Sequence, residues 1–204
     1  MTFQRVLIAN RGEISIRIGR TVAEMGLRAI AVYTADDADS LHVRLADEAV
    51  QLPGRGAAGY LDMTAVIAAA ASSGAEAVHP GYGFLSENPD FAQACAEAGL
   101  VFIGPSPAAL SLFGDKVRAV ALARRTGAPC LPGLSQLDPD TALEAALAFL
   151  AAQEGRAVMV KAVAGGGGRG IRRVASAAEM EPALKLCAAE ARAAFGDDRL
   201  YLER

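Results

Sequence analysis

A run of glycines flanked by basic residues carries the clearest chemistry in the sequence. Residues 161–170, KAVAGGGGRG, lie between two strand-like segments. Because glycine loses the most backbone entropy on folding, four in succession do not serve stability. Their N–H groups can approach an anion closely, and Lys161 and Arg169 can add a point charge and a forked donor. The run therefore predicts a phosphate-binding loop.

Other interpretations of the glycine run explain fewer of its residues. It is not a Walker P-loop, since no Gly-Lys-Ser/Thr sequence opens a helix after it. It is not a dinucleotide fingerprint either, because a strand-like segment follows it rather than a helix. A hairpin tip without function would need neither the lysine before the glycines nor the arginine among them.

A second segment, residues 79–89 (HPGYGFLSENP), also has the composition of a binding loop. It follows a predicted strand of a parallel sheet, where ligands bind beyond the carboxyl ends of strands. Gly81 and Gly83 flank Tyr82, which predicts an exposed ring. An ordinary strand-to-helix turn, capped by Ser86 or Asn88, explains the same residues equally well. His79 by itself is better explained as a hydrogen-bonded structural histidine.

Two further candidate binding segments are better explained by structural roles. Residues 10–13 (NRGE) follow the first strand, where a nucleotide could bind at a helix start. The segment has a single glycine, however, and Glu13 would repel phosphate. Lys116, after Asp115 at a predicted helix start, gives no functional indication by itself.

The first half of the chain alternates strand and helix patterns. Apolar, strand-like segments lie at residues 5–9, 28–33, 48–52, 76–79 and 100–103, and helical spacing at 13–25, 62–71 and 90–98. Residues 36–39 are predicted as a polar loop and 53–59 as a glycine-rich turn. Such alternation indicates βαβ units and a parallel sheet.

The second half has a different pattern, with a predicted boundary between Pro105 and Pro132. A connecting helix is predicted at Lys116–Arg125. Further helices are expected at residues 141–152 and from 177 to about 195, and strands at 157–161, 171–174 and from 200. Ser176 and Glu179 have the spacing of a capping box. The pattern therefore predicts a second domain after this boundary.

Composition excludes several classes of protein. The 204 residues carry 20 Lys+Arg against 23 Asp+Glu, a net charge of −3, which argues against a broad nucleic-acid surface. No apolar run has membrane-spanning length, and no signal peptide is evident. Cys95, Cys130 and Cys187 are odd in number and lack CxxC spacing, so reduced thiols in a cytoplasmic protein are predicted. We expect no metal site within the chain.

Taken together, the motifs closely resemble those of the biotin carboxylases, a family of ATP-grasp ligases. The resemblance covers essentially the whole chain. Its residues, in order, are 8–14, 45–48, 79–88, 102–105, 114–116 and 161–170. The string at 79–88 is highly specific, whereas the glycine loop is shared more widely among ATP-grasp enzymes. The resemblance implies an α/β protein with a Rossmann-like parallel-sheet domain over residues 1–112, which precedes the ATP-grasp core. A linker over residues 113–130 and a small α+β lid over residues 131–204 follow it.

The resemblance also implies roles for individual residues. Those expected to bind ATP are Lys116, Lys161, Gly165, Gly166, Gly167, Gly168, Glu203 and Arg204. The lysines and glycines correspond to phosphate contacts, and Glu203 and Arg204 to the hinge that meets the adenine. Tyr82 and Gly83 correspond to residues beside the biotin site. Ala164 stands where a glycine is frequent and Arg204 where a lysine is common, and neither change should abolish phosphate contact.

The family reaction activates bicarbonate with ATP through carboxyphosphate and then carboxylates biotin. The implied partners are ATP with Mg²⁺, bicarbonate, biotin on its carrier protein, and a second copy in a homodimer. By the resemblance, the metal carboxylates and the general base lie beyond residue 204, so no catalytic residue is assigned and the 204 residues alone are expected to be inactive.

Other functions remain open at this point. One alternative is a non-catalytic nucleotide-binding or docking module, which predicts the same motifs. Another is a different ATP-grasp ligase such as a carbamoyl-phosphate synthase relative, against which the string at residues 79–88 argues. These motifs do not identify the final acceptor, whether acetyl-CoA, propionyl-CoA, pyruvate or urea.

Overall fold

The computed structural model describes residues 3–134, 137, 142–163 and 170–204, with Phe195 by its backbone alone. The chain divides into two compact units, Met1–Ser111 and Leu112–Arg204. Each unit is built around its own sheet.

The first unit contains a five-stranded sheet. Its strands are β1 (Arg5–Ile8), β2 (Arg28–Tyr33), β3 (Glu48–Gln51), β4 (Ala77–His79) and β5 (Val101–Phe102). They are ordered β3-β2-β1-β4-β5, and all four pairings are parallel. The parallel sheet predicted from the alternation of elements is confirmed.

Helices connect the strands of the first unit and follow the last of them. They are α1 (Gly12–Glu24), α2 (Leu41–Leu45), α3 (Gly56–Tyr60), α4 (Met63–Ser72), α5 (Pro89–Glu97) and α6 (Pro107–Gly114), which runs across the division between the units. The prediction of a simple turn at residues 53–59 was wrong, since α3 begins there. The Asp36 carboxylate accepts hydrogen bonds from Gly56 N–H at 3.0 and 2.9 Å, a contact that local sequence does not reveal. The predicted loop at 36–39 likewise contains a short 3₁₀ helix, Ala35–Asp37.

Apolar side chains bury both faces of the parallel sheet. Leu7, Ile30 and Val78 point to one face, while Val6 and Ile8 belong to a separate cluster with α1. A strand covered on both faces is apolar along its buried length, as β1 is after Arg5 and β2 is after Arg28. The carboxyl ends of the strands are therefore left as the place where loops can carry function.

The second unit contains a four-stranded antiparallel sheet. Its strands are β6 (Gly133–Leu134), β7 (Val158–Ala162), β8 (Ile171–Val174) and β9 (Leu200–Glu203), ordered β6-β9-β7-β8. Its helices are α7 (Lys116–Arg125), α8 (Ala142–Ala151) and α9 (Ala177–Phe195). The predicted α+β architecture is confirmed.

One face of this sheet is covered by α8 and α9. Its buried side chains, among them Val158, Val160 and Leu202, pack against residues such as Met180 and Cys187. Because side chains alternate along a strand, the other face carries the polar members of β7 and β9.

The predicted capping box before α9 forms only in part. Glu179 accepts a hydrogen bond from Ala175 N–H at 2.8 Å. Among the residues that the structure describes, however, the Ser176 side chain accepts no hydrogen bond from an amide of the first turn. Gly196, with φ 73°, ends the helix as expected. Within the described ranges, no helix is long and apolar enough to span a membrane.

Candidate functional site

A small cavity lies beside the open face of the sheet in the second unit. Its volume is about 160 Å³, and its lining comes from α7, the loop after it, β6 and β9: Lys116, Val117, Val120, Arg124, Cys130, Leu131, Gly133, Tyr201, Leu202 and Glu203. Binding sites for complete small ligands enclose roughly 300–1,000 Å³. A cavity of this size fits one ring system, with the rest of a ligand lying outside it.

The start of α7 places Lys116 at the edge of this cavity. Asp115 is the N-cap, and its carboxylate accepts a hydrogen bond from Arg118 N–H at 3.0 Å. Lys116, Val117, Val120 and Arg124 recur at helical spacing and therefore share one face of α7. That face supplies apolar walls with a cation at each end, an arrangement suited to a base attached to charged groups.

Lys161 and Glu203 meet on the open face of the sheet. Lys161 Nζ donates a hydrogen bond to the Glu203 carboxylate, and the two form an ion pair. Burial lowers the pKa of Lys161, and the nearby charge of Lys116 lowers it further. Two ammonium groups and one carboxylate are thus concentrated at one end of the cavity.

Close backbone packing shapes the opposite wall. Arg124 donates a hydrogen bond to Gly133 O at 3.0 Å, and Arg204 N–H donates to Pro132 O at 3.0 Å. A Cβ on Gly133 would lie 2.9 Å from Leu202 O, so only glycine allows this approach. The exposed side chain of Arg204 lies beyond the lining residues.

The glycines predicted to bind phosphate, Gly165 to Gly168, lie outside the described residues, as does Arg169. The segment's two ends are fixed. Ala162 N–H donates to Gly170 O at 2.9 Å, and Val163 N–H donates to Arg199 O at 2.9 Å. Gly170 N–H donates to Glu190 at 3.1 Å. The segment therefore leaves and rejoins the sheet at one point, next to Lys161.

In the first unit, buried Asn10 fastens the loop at residues 79–88. Its Nδ2 donates to Pro80 O and Tyr82 O, both at 2.8 Å, and its Oδ1 accepts from Arg11 N–H at 2.9 Å. Asn10 is 3% exposed. Gly81, with φ 67°, passes so close that a Cβ there would lie 2.6 Å from Asn10 Nδ2. Buried, paired amide groups hold the loop in one shape.

The fastened loop presents Tyr82 at the carboxyl edge of the parallel sheet. Tyr82 is 59% exposed, and its hydroxyl donates to the Glu13 carboxylate, which raises the pKa of the phenol. A Cβ on Gly83 would meet no atom within 4 Å, so the surface beside the ring is open. An exposed ring above bare backbone suits a flat, partly apolar ligand.

His79 and Asn88 have structural roles in the loop. His79 Nδ1 accepts a hydrogen bond from Gly81 N–H at 3.1 Å, and burial lowers the pKa of the imidazole. Asn88, rather than Ser86, caps α5 through bonds from Asp90 N–H and Phe91 N–H at 2.9 and 3.0 Å. His79 therefore helps to fix the backbone next to Tyr82, whereas Asn88 fixes the start of α5.

The structural role predicted for residues 10–13 agrees with the contacts of Asn10 and Glu13, which hold the loop and Tyr82. The partners of these two residues were not predicted, because they lie about 70 positions further along the chain. The apolar lining residue Val120 was not predicted either, although its helical spacing from Lys116 could have revealed it. The structure brings Lys116 and Glu203 to one cavity with Lys161 beside them.

Comparison with known proteins relates both units to one family. The family model described as "Biotin carboxylase, N-terminal domain" matches residues 2–110. The model described as "Carbamoyl-phosphate synthase L chain, ATP binding domain" matches residues 115–204.

Individual relatives are similar over nearly the whole chain. Biotin carboxylase of Haemophilus influenzae is 44% identical over 202 residues, which are 98% of this chain and 45% of that protein. Pyruvate carboxylase of Bacillus subtilis is 46% identical over 206 residues, 100% of this chain and 18% of that protein. The chain thus spans less than half the length of these relatives.

Solved structures give the same likeness. A biotin carboxylase–βγ-ATP complex from Campylobacter jejuni superposes with a TM-score of 0.91 at 42% identity, covering 100% of this chain and 45% of that one. The biotin carboxylase domain dimer of 2-oxoglutarate carboxylase from Hydrogenobacter thermophilus, in complex with MgADP, ADP and bicarbonate, gives 0.89 at 40% identity, covering 100% and 44%.

Proposed function

Because the chain belongs to the biotin carboxylase family, we propose that it provides the nucleotide-binding surface of an enzyme that carboxylates biotin with ATP and bicarbonate. The observation that carries the proposal is the cavity of the second unit. It combines apolar walls sized for one ring system with Lys116, Lys161 and Glu203 at one end.

The chemistry of these residues suits ATP. The adenine occupies the cavity between Val117, Val120 and Leu202, beside the backbone of the hinge at Glu203 and Arg204. Lys116 and Lys161 then face the phosphates, where two ammonium groups offset the negative charge that attack by bicarbonate must overcome. Gly165, Gly166, Gly167 and Gly168, which follow Lys161 in the sequence, are assigned to the phosphates by the family resemblance, and backbone N–H groups without side chains suit that contact.

Titration of the chain with ADP tests the nucleotide site. Lys161→Ala should weaken ADP binding by about tenfold to a hundredfold, since a hydrogen bond to a charged group contributes about 1.5–3 kcal/mol. Lys185→Ala is the matched control, because Lys185 is an exposed lysine of the same unit that pairs with Glu181. Equal losses in both variants, or no binding of ADP by the unmodified chain, would contradict the proposal.

The resemblance assigns the biotin side to Tyr82 and Gly83. The exposed ring and the open backbone beside it support this assignment. Saturation-transfer NMR with free biotin should detect contact in the unmodified chain and lose it in Tyr82→Ala. Phe113→Ala, which removes another exposed ring, should leave the signal unchanged.

The described residues do not fit a Mg²⁺ ion. Within the described ranges, no three His, Cys, Asp or Glu residues come together, and Glu203 is already paired with Lys161. Mg²⁺ accompanies the nucleotide by family resemblance only, and no step proposed for these residues passes through it.

The remaining partners also come from the family. They are bicarbonate, a biotin carrier protein and a second copy of the chain in a homodimer, and analytical ultracentrifugation tests the last. We place the protein in the cytoplasm. The three cysteines are free thiols, and burial raises the pKa of Cys95 to about 11, which fits inert packing in a reducing compartment.

A further inference from the structure

The contact between Lys161 and Glu203 follows from the register of two neighbouring strands. Met159 lies opposite Glu203, and Lys161 lies opposite Tyr201, in the antiparallel pairing of β7 with β9. Lys161 and Glu203 are therefore diagonal neighbours on the open face, within reach of long side chains. Their side chains are only 22% and 26% exposed, so solvent screens the pair incompletely.

The surroundings of Lys161 disfavour its charged ammonium form unless a carboxylate is nearby. Among the described residues, the titratable groups on its side of the sheet are Lys116 from α7, Tyr201 and Glu203 from β9 and, from β8, Arg173, which lies opposite Met159. Burial and the charge of Lys116 both favour the neutral amine, which would bind phosphate poorly. Among these neighbours, the carboxylate of Glu203 is the group that favours the ammonium form.

Glu203 also lines the cavity that the proposed function assigns to the base. One side chain thus touches both the base-binding wall and the lysine that faces the phosphates. An ammonium group has three N–H donors, so Lys161 can keep its bond to Glu203 and still donate to a phosphate. The carboxylate does not have to leave when a nucleotide arrives.

We infer that Glu203 is a positioning residue, which holds the ammonium group of Lys161 charged and directed toward the nucleotide phosphates. The inference rests on the proposed nucleotide site and deepens it. Glu203 acts through its side chain on Lys161, in addition to the backbone contact with the adenine that family resemblance implies.

Comparison of ADP with adenosine tests this role, since only ADP carries phosphates. Glu203→Gln keeps the size of the side chain and removes its charge. It should weaken ADP binding by about tenfold, the equivalent of one charged hydrogen bond, and change adenosine binding less than about twofold. In a Lys161→Ala background, the same substitution should have no further effect on ADP. Glu181→Gln, in the exposed pair with Lys185, is the control and should change neither affinity.

Two results would overturn the positioning role. Equal weakening of ADP and adenosine would mean that Glu203 only shapes the cavity. Tighter binding of ADP by Glu203→Gln would mean that the carboxylate competes with the phosphates for Lys161.

A second measurement separates this role from the proposed function. Side-chain NMR of the lysine ammonium groups, without nucleotide, should show a lower pKa and faster proton exchange for Lys161 in Glu203→Gln, while Lys185 stays unchanged. An unaltered Lys161 would contradict the inference whether or not ADP binds. If the unmodified chain fails to bind ADP but Lys161 responds, the proposed nucleotide site is wrong and the pairing stands.

Discussion

The candidate regions of the two units are held in place by different forces. Neutral hydrogen bonds from buried Asn10 fasten the loop that carries Tyr82. In the second unit, an ion pair on a partly open sheet face fixes Lys161 against Glu203. Neutral buried bonds respond little to salt or pH, whereas an ion pair responds to both and to the charge of a ligand. We therefore expect the loop of the first unit to be rigid, and the proposed nucleotide site of the second unit to respond to phosphates.

The largest expected effect is a loss of stability when the loop at residues 79–88 is disturbed. Gly81→Ala places a Cβ 2.6 Å from Asn10 Nδ2 at a φ of 67°, and Asn10 cannot retreat without losing its bonds. We expect a loss of about 3 kcal/mol in the free energy of unfolding, measured by urea denaturation. Gly99→Ala is the matched control. Its φ is 74° but its Cβ would meet nothing within 4 Å, so about 1 kcal/mol should be lost. Equal losses would show that the backbone angle, rather than the contact with Asn10, matters.

Removal of the fastening amide should have the next largest effect. Asn10→Ala leaves the carbonyls of Pro80 and Tyr82 without their donor, at a cost of about 2 kcal/mol. Amide exchange should accelerate in residues 81–86 and stay unchanged in α9 of the other unit. Unchanged protection of the loop would mean that the bonds from Asn10 are not what holds it.

A third test asks whether the first unit also contains a charge-dependent contact. Asp37 accepts hydrogen bonds from Arg11 and Tyr60 at 2.9 and 2.8 Å. Burial alone would raise the pKa of Asp37, but these bonds outweigh it and leave the pKa below its ordinary value. Asp37→Asn should cost about 1 kcal/mol near neutral pH.

The pH dependence of that cost has a defined sign. Because the folded state binds the proton less readily, the stabilisation is fully present above the unfolded pKa of about 3.9 and is lost as pH falls through the lower, folded value. Urea denaturation of both proteins from pH 7 downward should show the difference shrinking below about pH 4. A difference that grew on acidification would show that the carboxylate is destabilising.

The smallest expected effect concerns an exposed ion pair of the second unit, which serves as a comparison for the pair of Lys161 and Glu203. Lys185 and Glu181 form an exposed pair one helical turn apart, with side chains 76% and 55% exposed. Glu181→Gln should lower the free energy of unfolding only slightly, because water screens the exposed pair, and the loss should vanish in high salt. A larger, salt-resistant loss would remove the distinction between this pair and the half-buried pair of Lys161 and Glu203.

The sequence predicted most elements because their patterns are local. Helix α7 has the predicted bounds, and β2 and β8 coincide with their predicted segments. The short helices α2 and α3 were missed because contacts from distant residues, such as the bonds between Asp36 and Gly56, stabilise them.

The site was predicted as a set of residues but not as an arrangement. Lys161 and Glu203 were expected to contact phosphate and adenine separately, and their pairing depends on the register of β7 with β9. The contact between Asn10 and the loop likewise joins the ends of two neighbouring strands. Long-range register follows from packing of the whole unit, which local periodicity does not encode.

The position of β9 constrains how the second unit can form during synthesis. This strand follows β6, β7 and β8 in sequence, yet it lies between β6 and β7 in the sheet. On the ribosome, β7 and β8 can pair early, but β6 has no neighbour until residues 200–203 have left the exit tunnel. The Lys161–Glu203 pair forms at that same step, so the residues of the proposed nucleotide site come together only when the sheet is complete.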